Sequence, residues 1–204
     1  MFKDFSNRYL EIIQGELSGL NLTRISESNE FYHKQVLDSI LPFELDMVKN
    51  RLESYQVVVD IGFGGGFPLL PLALMMPNKM FVGLEARGKK VNAVKFIASR
   101  LGIKNISVHH LRSEQLLVDR ATAITFKAVG TVTTCLDPLN ISAPSLAILY
   151  KGPNYRQEEN YCNPTAWNLV VEERVEVPGT DERVVLVYEN VPRGTMSGAN
   201  GESN

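Results

Sequence analysis

The hydrophobic pattern changes character twice along the chain. Phe2, Phe5, Tyr9, Ile12, Ile13 and Leu17 recur at steps of three and four, which predicts an amphipathic helix over the first 18 residues, ended by Gly19. A second helical stretch is predicted from about Asn29, with Phe31, Val36, Leu37, Ile40 and Leu41 on one side. From Tyr55 buried strands take over. Val57, Val58 and Val59 form a β-branched run of the kind covered on both faces. Glycines follow, then a helical run over 68–76, a strand over 80–84 and an amphipathic helix over 89–101 closed by Gly102. Further strands are predicted over 106–109, 121–126 and 146–150, and the alternation of strand and helix argues for a parallel α/β sheet. The pattern then changes again. Two long β runs, 169–177 and 183–191, flank Pro178-Gly179-Thr180-Asp181 and predict an antiparallel hairpin added to the sheet edge.

Composition adds bounds. The 204 residues are 44% hydrophobic and 22% charged, which excludes a largely disordered chain or a collagen-like repeat. One main domain over 51–191 is expected, with residues 1–50 as a helical extension packed on it. Residues 192–204, rich in Gly, Ser and Asn, are expected to be a mobile tail. Lys and Arg number 21 against 23 Asp and Glu, a net charge of −2, so nucleic acid could be held only by a local basic face. Cys135 and Cys162 lack CxxC spacing and fit a reduced, cytoplasmic setting. The N-terminus has no signal-peptide core, and the longest strongly apolar stretch, about 67–77, carries three prolines, so no membrane association is expected.

The candidate chemistry centres on Asp60-Ile61-Gly62-Phe63-Gly64-Gly65-Gly66-Phe67, where a buried strand runs into glycines and then a helix. Ligands of open parallel sheets bind at such turns, and glycine lets the backbone approach them closely. A dinucleotide fingerprint G-x-G-x-x-G fails in both registers, because Phe67 or Leu69 stands where the third glycine belongs. A phosphate-binding loop fails too, since the only Gly-Lys is Gly88-Lys89, after a different strand. Gly62-x-Gly64-x-Gly66 preceded by Asp60 instead resembles the first motif of class I S-adenosylmethionine-dependent methyltransferases. Asp60 would favour that cofactor's ammonium and sulfonium through its field. Glu85 ends the next strand, where a carboxylate can accept both ribose hydroxyls. An NAD enzyme would place an acid there as well.

Over about 21–151 the chain resembles one family, the ribosomal RNA small subunit methyltransferase G family, also called glucose-inhibited division protein B. The resemblance runs through Asn21-Leu22-Thr23, His33, Leu37-Asp38-Ser39, the Asp60-to-Pro68 segment, Pro71-Leu72, Gly88-Lys89-Lys90-Val91, Arg112-Ser113-Glu114, Phe126-Lys127-Ala128-Val129 and Tyr150-Lys151-Gly152. It implies a class I, Rossmann-like α/β methyltransferase sheet with a C-terminal antiparallel hairpin and an N-terminal helical extension. It also implies methyl transfer from S-adenosylmethionine to guanine N7 in 16S ribosomal RNA, free or in the small ribosomal subunit. Carried over by motif, cofactor contacts fall on Gly62, Gly64, Phe67, Glu85, Ser113, Glu114 and Lys127, beside Asp60. Lys127 stands where the family usually has arginine and lacks its bidentate fork. Leu69 replaces a usual glycine and predicts a narrower pocket mouth, and Glu85 replaces a more frequent aspartate.

Guanine N7 needs no general base, so no catalytic residue is singled out; positioning would do the work. In keeping with this, neither cysteine follows a proline, as pyrimidine C5 chemistry commonly requires, and no Asn-Pro-Pro-Tyr follows the fourth strand. Gly152-Pro153-Asn154-Tyr155 reads as a turn. Arg87, Lys89, Lys151 and Tyr150 are substrate-binding candidates, with Phe67 and Tyr155 as further aromatic faces. His33, Lys34 and Asp38 form a polar strip that could cap the pocket, while Lys95, Arg100 and Lys104 read as a solvated helix face. His109, His110 and the cysteines have no metal spacing, so no metal site is expected, and the chain is expected to act as a monomer. Open alternatives are a methyltransferase acting on another RNA or a small molecule, a non-catalytic RNA-binding relative, and a nicotinamide dehydrogenase.

Overall fold

In the computed structural model, residues 1–159, 164 and 166–190 are described. The expected tail at 192–204 and Cys162 lie outside the described residues. Helix α1 (Phe2–Gln14) buries Phe5, Tyr9, Leu10, Ile12 and Ile13. It stops short of Gly19 because Gly15 leaves helical geometry, and the Leu17 amide folds back onto the Ile12 carbonyl at 3.1 Å. Helix α2 (Ser28–Phe31) is capped by Glu27, whose carboxylate accepts from the Asn29 and Glu30 amides. It widens into a π-helical stretch, Tyr32–Leu37, and continues as α3 (Asp38–Ile40). A 3-10 turn, Leu41–Glu44, and α4 (Asp46–Leu52) lead into the sheet.

The remaining elements are β1 (Val57–Ile61), α5 (Leu69–Met75), β2 (Met80–Glu85), α6 (Gly88–Leu101), β3 (Ile106–His110), β4 (Leu117–Val118), β5 (Thr122–Lys127), α7 (Val132–Leu136), β6 (Asn140–Ile141), β7 (Ser145–Lys151), α8 (Tyr155–Glu158), β8 (Asn168–Val175) and β9 (Arg183–Asn190). From β1 onward, the predicted strands and helices agree with these to within one or two residues at each end. The segments β4, β6, α7 and α8 span only two to five residues, too few to show a period.

Seven strands form one sheet in the order β3-β2-β1-β5-β7-β9-β8, and only β9 runs against the others. The hairpin is therefore not simply appended in chain order. Its second strand, β9, pairs with β7, and its first, β8, forms the edge. Burial explains the order. Val184 to Tyr188 are buried on both faces, whereas β8 exposes Glu172, Glu173 and Arg174, charges that suit an edge. One face of the sheet packs on α1, α5, α6 and the other N-terminal helices, and the opposite face on α7 and α8.

Two contacts join the N-terminal helices to the turn after β1. The Phe67 ring meets Tyr9, Phe31 and Phe5 at centroid distances of 5.1, 5.5 and 6.4 Å. Beneath that turn, Gly83 of β2 leaves room for Leu69 and Phe63. A Cβ there would stand 2.6 Å from Leu69 Cδ2, 2.7 Å from Phe63 Cδ1 and 2.8 Å from Val108 Cγ1. Overpacking of this kind typically costs about 1–3 kcal/mol. Gly83→Ala is expected to lower the thermal midpoint measured by circular dichroism, and an unchanged midpoint would contradict this packing.

Candidate functional site

The carboxyl ends of β1, β2 and β5 open on a cavity of about 560 Å³, at the point where strand order reverses about β1. Its floor is the glycine turn. Gly62, Gly64 and Gly66 have φ of +73°, +57° and +94°, the left-handed region that side chains rarely tolerate. Three polar contacts hold the turn. Asp60, 1% exposed, accepts from the Leu69 amide at 3.0 Å and the Thr125 hydroxyl at 2.9 Å. Tyr9 donates its hydroxyl to the Gly65 carbonyl at 2.6 Å. Glu85 accepts from the Gly64 amide at 3.1 Å through one oxygen and from the Arg87 amide at 3.0 Å through the other.

These contacts revise two expectations. Asp60 does not line the cavity, and both its oxygens face protein donors. Burial pushes its carboxyl up to about 7, against the opposing pull of Thr125, Leu69 and the Lys127 charge. The acid on the cavity wall is Glu85. Leu69, expected to narrow the mouth, is fully buried against Gly83 and does not line the cavity.

The opposite wall is a charged network. Asp38, 0% exposed, accepts from Arg183 Nε at 2.6 Å and pairs with Lys127 Nζ at 2.8 Å. Lys127 also donates to Ser39 Oγ at 3.3 Å, and the Tyr150 hydroxyl donates to the Ser39 carbonyl at 2.7 Å. Burial lowers the Lys127 pKa, and Asp38 opposes that shift. Lys34 joins Asp38 at the cavity, while His33 lies instead beside Gly179 in the hairpin turn. Arg183 was not anticipated. It opens β9, far along the chain from Asp38, and no local motif marks it.

Other candidates separate. Gly62, Gly64, Phe67, Glu85, Arg87 and Lys127 line this cavity together. Lys89 is exposed and does not, whereas Lys90 does, because one helical step turns it toward Gly64. Ser113 and Glu114 sit in a 3-10 turn after β3 and do not line it either. Tyr150 and Lys151 line an adjoining cavity of about 260 Å³. Lys151, 6% exposed, donates to the Gly130 carbonyl at 2.5 Å and pairs with Glu159 at 2.7 Å, so its charge is already balanced, contrary to a role on an open basic face. Arg100 pairs with Glu16 on the outer side of α6. Around the larger cavity, Lys34, Arg87, Lys90, Lys127 and Arg183 outnumber Asp38 and Glu85, a locally basic wall on a chain of net charge −2.

The strand order, the single reversed strand, the glycine turn after β1 and the acid ending β2 define a class I S-adenosylmethionine-dependent methyltransferase. The same fold is found in a SAM-dependent methyltransferase from Aquifex aeolicus (TM-score 0.51, 16% identity, covering 76% of this chain and 92% of that one). TrmN from Thermus thermophilus shares it too (TM-score 0.54, 13% identity, covering 78% and 53%). The sequence model of the rRNA small subunit methyltransferase G family matches residues 3–186. Ribosomal RNA small subunit methyltransferase G from Solibacter usitatus is 34% identical over 154 residues, covering 74% of this chain and 70% of that protein. The Mycoplasma capricolum protein of the same name is 29% identical over 197 residues, covering 93% and 83%. The chain belongs to the rRNA small subunit methyltransferase G family.

Two predictions follow from the buried charges. The Asp60 carboxyl binds its proton more tightly in the folded protein than in the unfolded chain, so its stabilising contribution is full below about pH 4 and is lost as the pH rises through about 7. Stability of Asp60→Asn, measured by urea denaturation, should fall less across that window than stability of the wild type; equal slopes would contradict the assignment. Removing one partner of a buried ion pair costs about 3–5 kcal/mol when the other is left unpaired. Asp38→Ala strands Lys127, whereas Lys127→Ala leaves Asp38 with Arg183. Asp38→Ala should therefore unfold at lower urea than Lys127→Ala, and matching midpoints would contradict the network.

Proposed function

We propose that the protein transfers a methyl group from S-adenosylmethionine to N7 of a guanine in 16S ribosomal RNA, and that it acts in the cytoplasm as a monomer on the free RNA or the small subunit. The observation that carries the cofactor reading is Glu85, whose carboxylate stands against the bare backbone of Gly64 on the cavity wall. Each of its oxygens accepts one amide and keeps lone-pair capacity for a ribose hydroxyl. Gly62 and Gly64 allow close approach of the backbone, Phe67 adds an apolar surface, and Lys127 sets the opposite wall. Ser113 and Glu114 are left out of this set.

Bound S-adenosylmethionine would supply an electrophilic methyl on its sulfonium. The acceptor needs little help from side chains, since the N7 lone pair is in the ring plane and unprotonated. It forms the new bond to the methyl carbon as the carbon–sulfur bond breaks and S-adenosylhomocysteine leaves. Alignment of N7 with methyl and sulfur is then the main task, which suits a rigid turn fixed at three points. The basic wall supports approach of phosphates, and such binding weakens steeply with salt. Among the described residues, no helix is long and apolar enough to cross a membrane.

Incubation with methyl-labelled S-adenosylmethionine and either 16S ribosomal RNA or small subunits tests the proposal. Label is expected at one guanine N7, mapped by mass spectrometry and by comparison with RNA from a deletion strain. Identical guanine N7 methylation with and without the gene would contradict it.

A further inference from the structure

We infer that the Lys151–Glu159 pair reads the edge of the target guanine, offering a donor to O6 and an acceptor to N1–H. The inference rests on the guanine-N7 reading above. The pair lines the 260 Å³ cavity at the carboxyl ends of β5 and β7. That cavity shares Lys127, Ala128 and Arg183 with the larger one, so a base held in the smaller adjoins a methyl donor held in the larger.

The pair is held in place from both sides. Lys151 Nζ donates to the Gly130 carbonyl at 2.5 Å and pairs with Glu159 Oε1 at 2.7 Å, while Glu159 Oε2 accepts from the Val132 amide at 2.9 Å. An ammonium has three donors and a carboxylate about four acceptor sites. The described residues use two of each, which leaves one ammonium proton and further carboxylate lone pairs side by side. Guanine presents the matching order, acceptor O6 beside donor N1–H. Adenine presents the reverse, a donor at N6 and a bare lone pair at N1, which would set donor against donor and lone pair against lone pair. N7 lies on the far side of O6 from N1, so a guanine gripped by O6 and N1 turns N7 away from the pair. Methylation at N7 puts positive charge on the purine and makes N1–H a stronger donor. The hydrogen bond to Glu159 therefore tightens as the reaction proceeds. Because the pair is internally neutral, it is poorly suited to phosphate and well suited to a base edge; Arg87 and Lys90 are left for the backbone.

The bland role for the pair is a clamp between the segment after α8 and the start of α7, and crossing protein variants with altered bases separates the two. Methyl transfer is measured on a 16S fragment spanning the mapped target, carrying guanosine, inosine or N1-methylguanosine at that position. The wild type should accept inosine, which keeps O6 and N1–H, and lose about tenfold or more in kcat/KM on N1-methylguanosine. Glu159→Ala should lose a similar factor on guanosine and less than about twofold more on N1-methylguanosine, because the lost contact is the same one. Losses that multiply would show a clamp only and overturn the inference. So would wild-type protein that methylates the N1-methylguanosine substrate as well as guanosine, a result independent of how well the variant folds. Absence of transfer to guanosine by the wild type would overturn the guanine-N7 reading itself, and the inference with it.

Discussion

The buried carboxylate of Asp60 accepts from the first amide of α5 and from a hydroxyl of β5, at 3.0 and 2.9 Å. It thus ties the end of β1 to the helix beyond the glycine turn and to the neighbouring strand. Everything at the site is measured from that joint. The turn rises over it in three left-handed glycines and is held again by Tyr9 above and Glu85 at the side. A backbone in sparsely populated conformations persists only where its surroundings over-determine it. Here the surroundings come from α1, β1, β2, β5 and α5 at once. Ala128, at φ +56°, is the described non-glycine residue in that region, and it lines both cavities.

The N-terminal helices are part of the same construction. Their aromatic rings enclose Phe67, and their π-helical stretch leads directly into Asp38, which gathers Lys127 from β5 and Arg183 from β9. One buried anion thereby anchors two cations at the cavity wall. The overall charge of −2 says little about the surface a phosphate would meet, since charge is concentrated where strands end.

The sheet was readable because its strands and helices are long enough to show a period. The glycine turn and Glu85 were readable because their spacing follows from the fold. What escaped the sequence depends on contacts distant in the chain. Nothing local tells that Arg183 meets Asp38, or that β9 rather than β8 is the inner strand of the hairpin. Leu69 looked like an obstruction until Gly83 supplied the space beneath it. Asp60 looked like a cavity acid, but its geometry makes it an internal fastener. The difference between Lys89 and Lys90 is one helical step, below the precision with which a helix start can be set from sequence.

The claim that matters most is that the glycine turn and Glu85 together form the seat of an adenosyl-sulfonium donor. Calorimetric titration of S-adenosylhomocysteine into the wild type and into Glu85→Ala measures it directly. The account predicts saturable binding to the wild type and affinity weaker by about tenfold or more in the variant, a loss of about 1.4 kcal/mol. A wild type that takes up none, or a variant that binds as tightly, would contradict it.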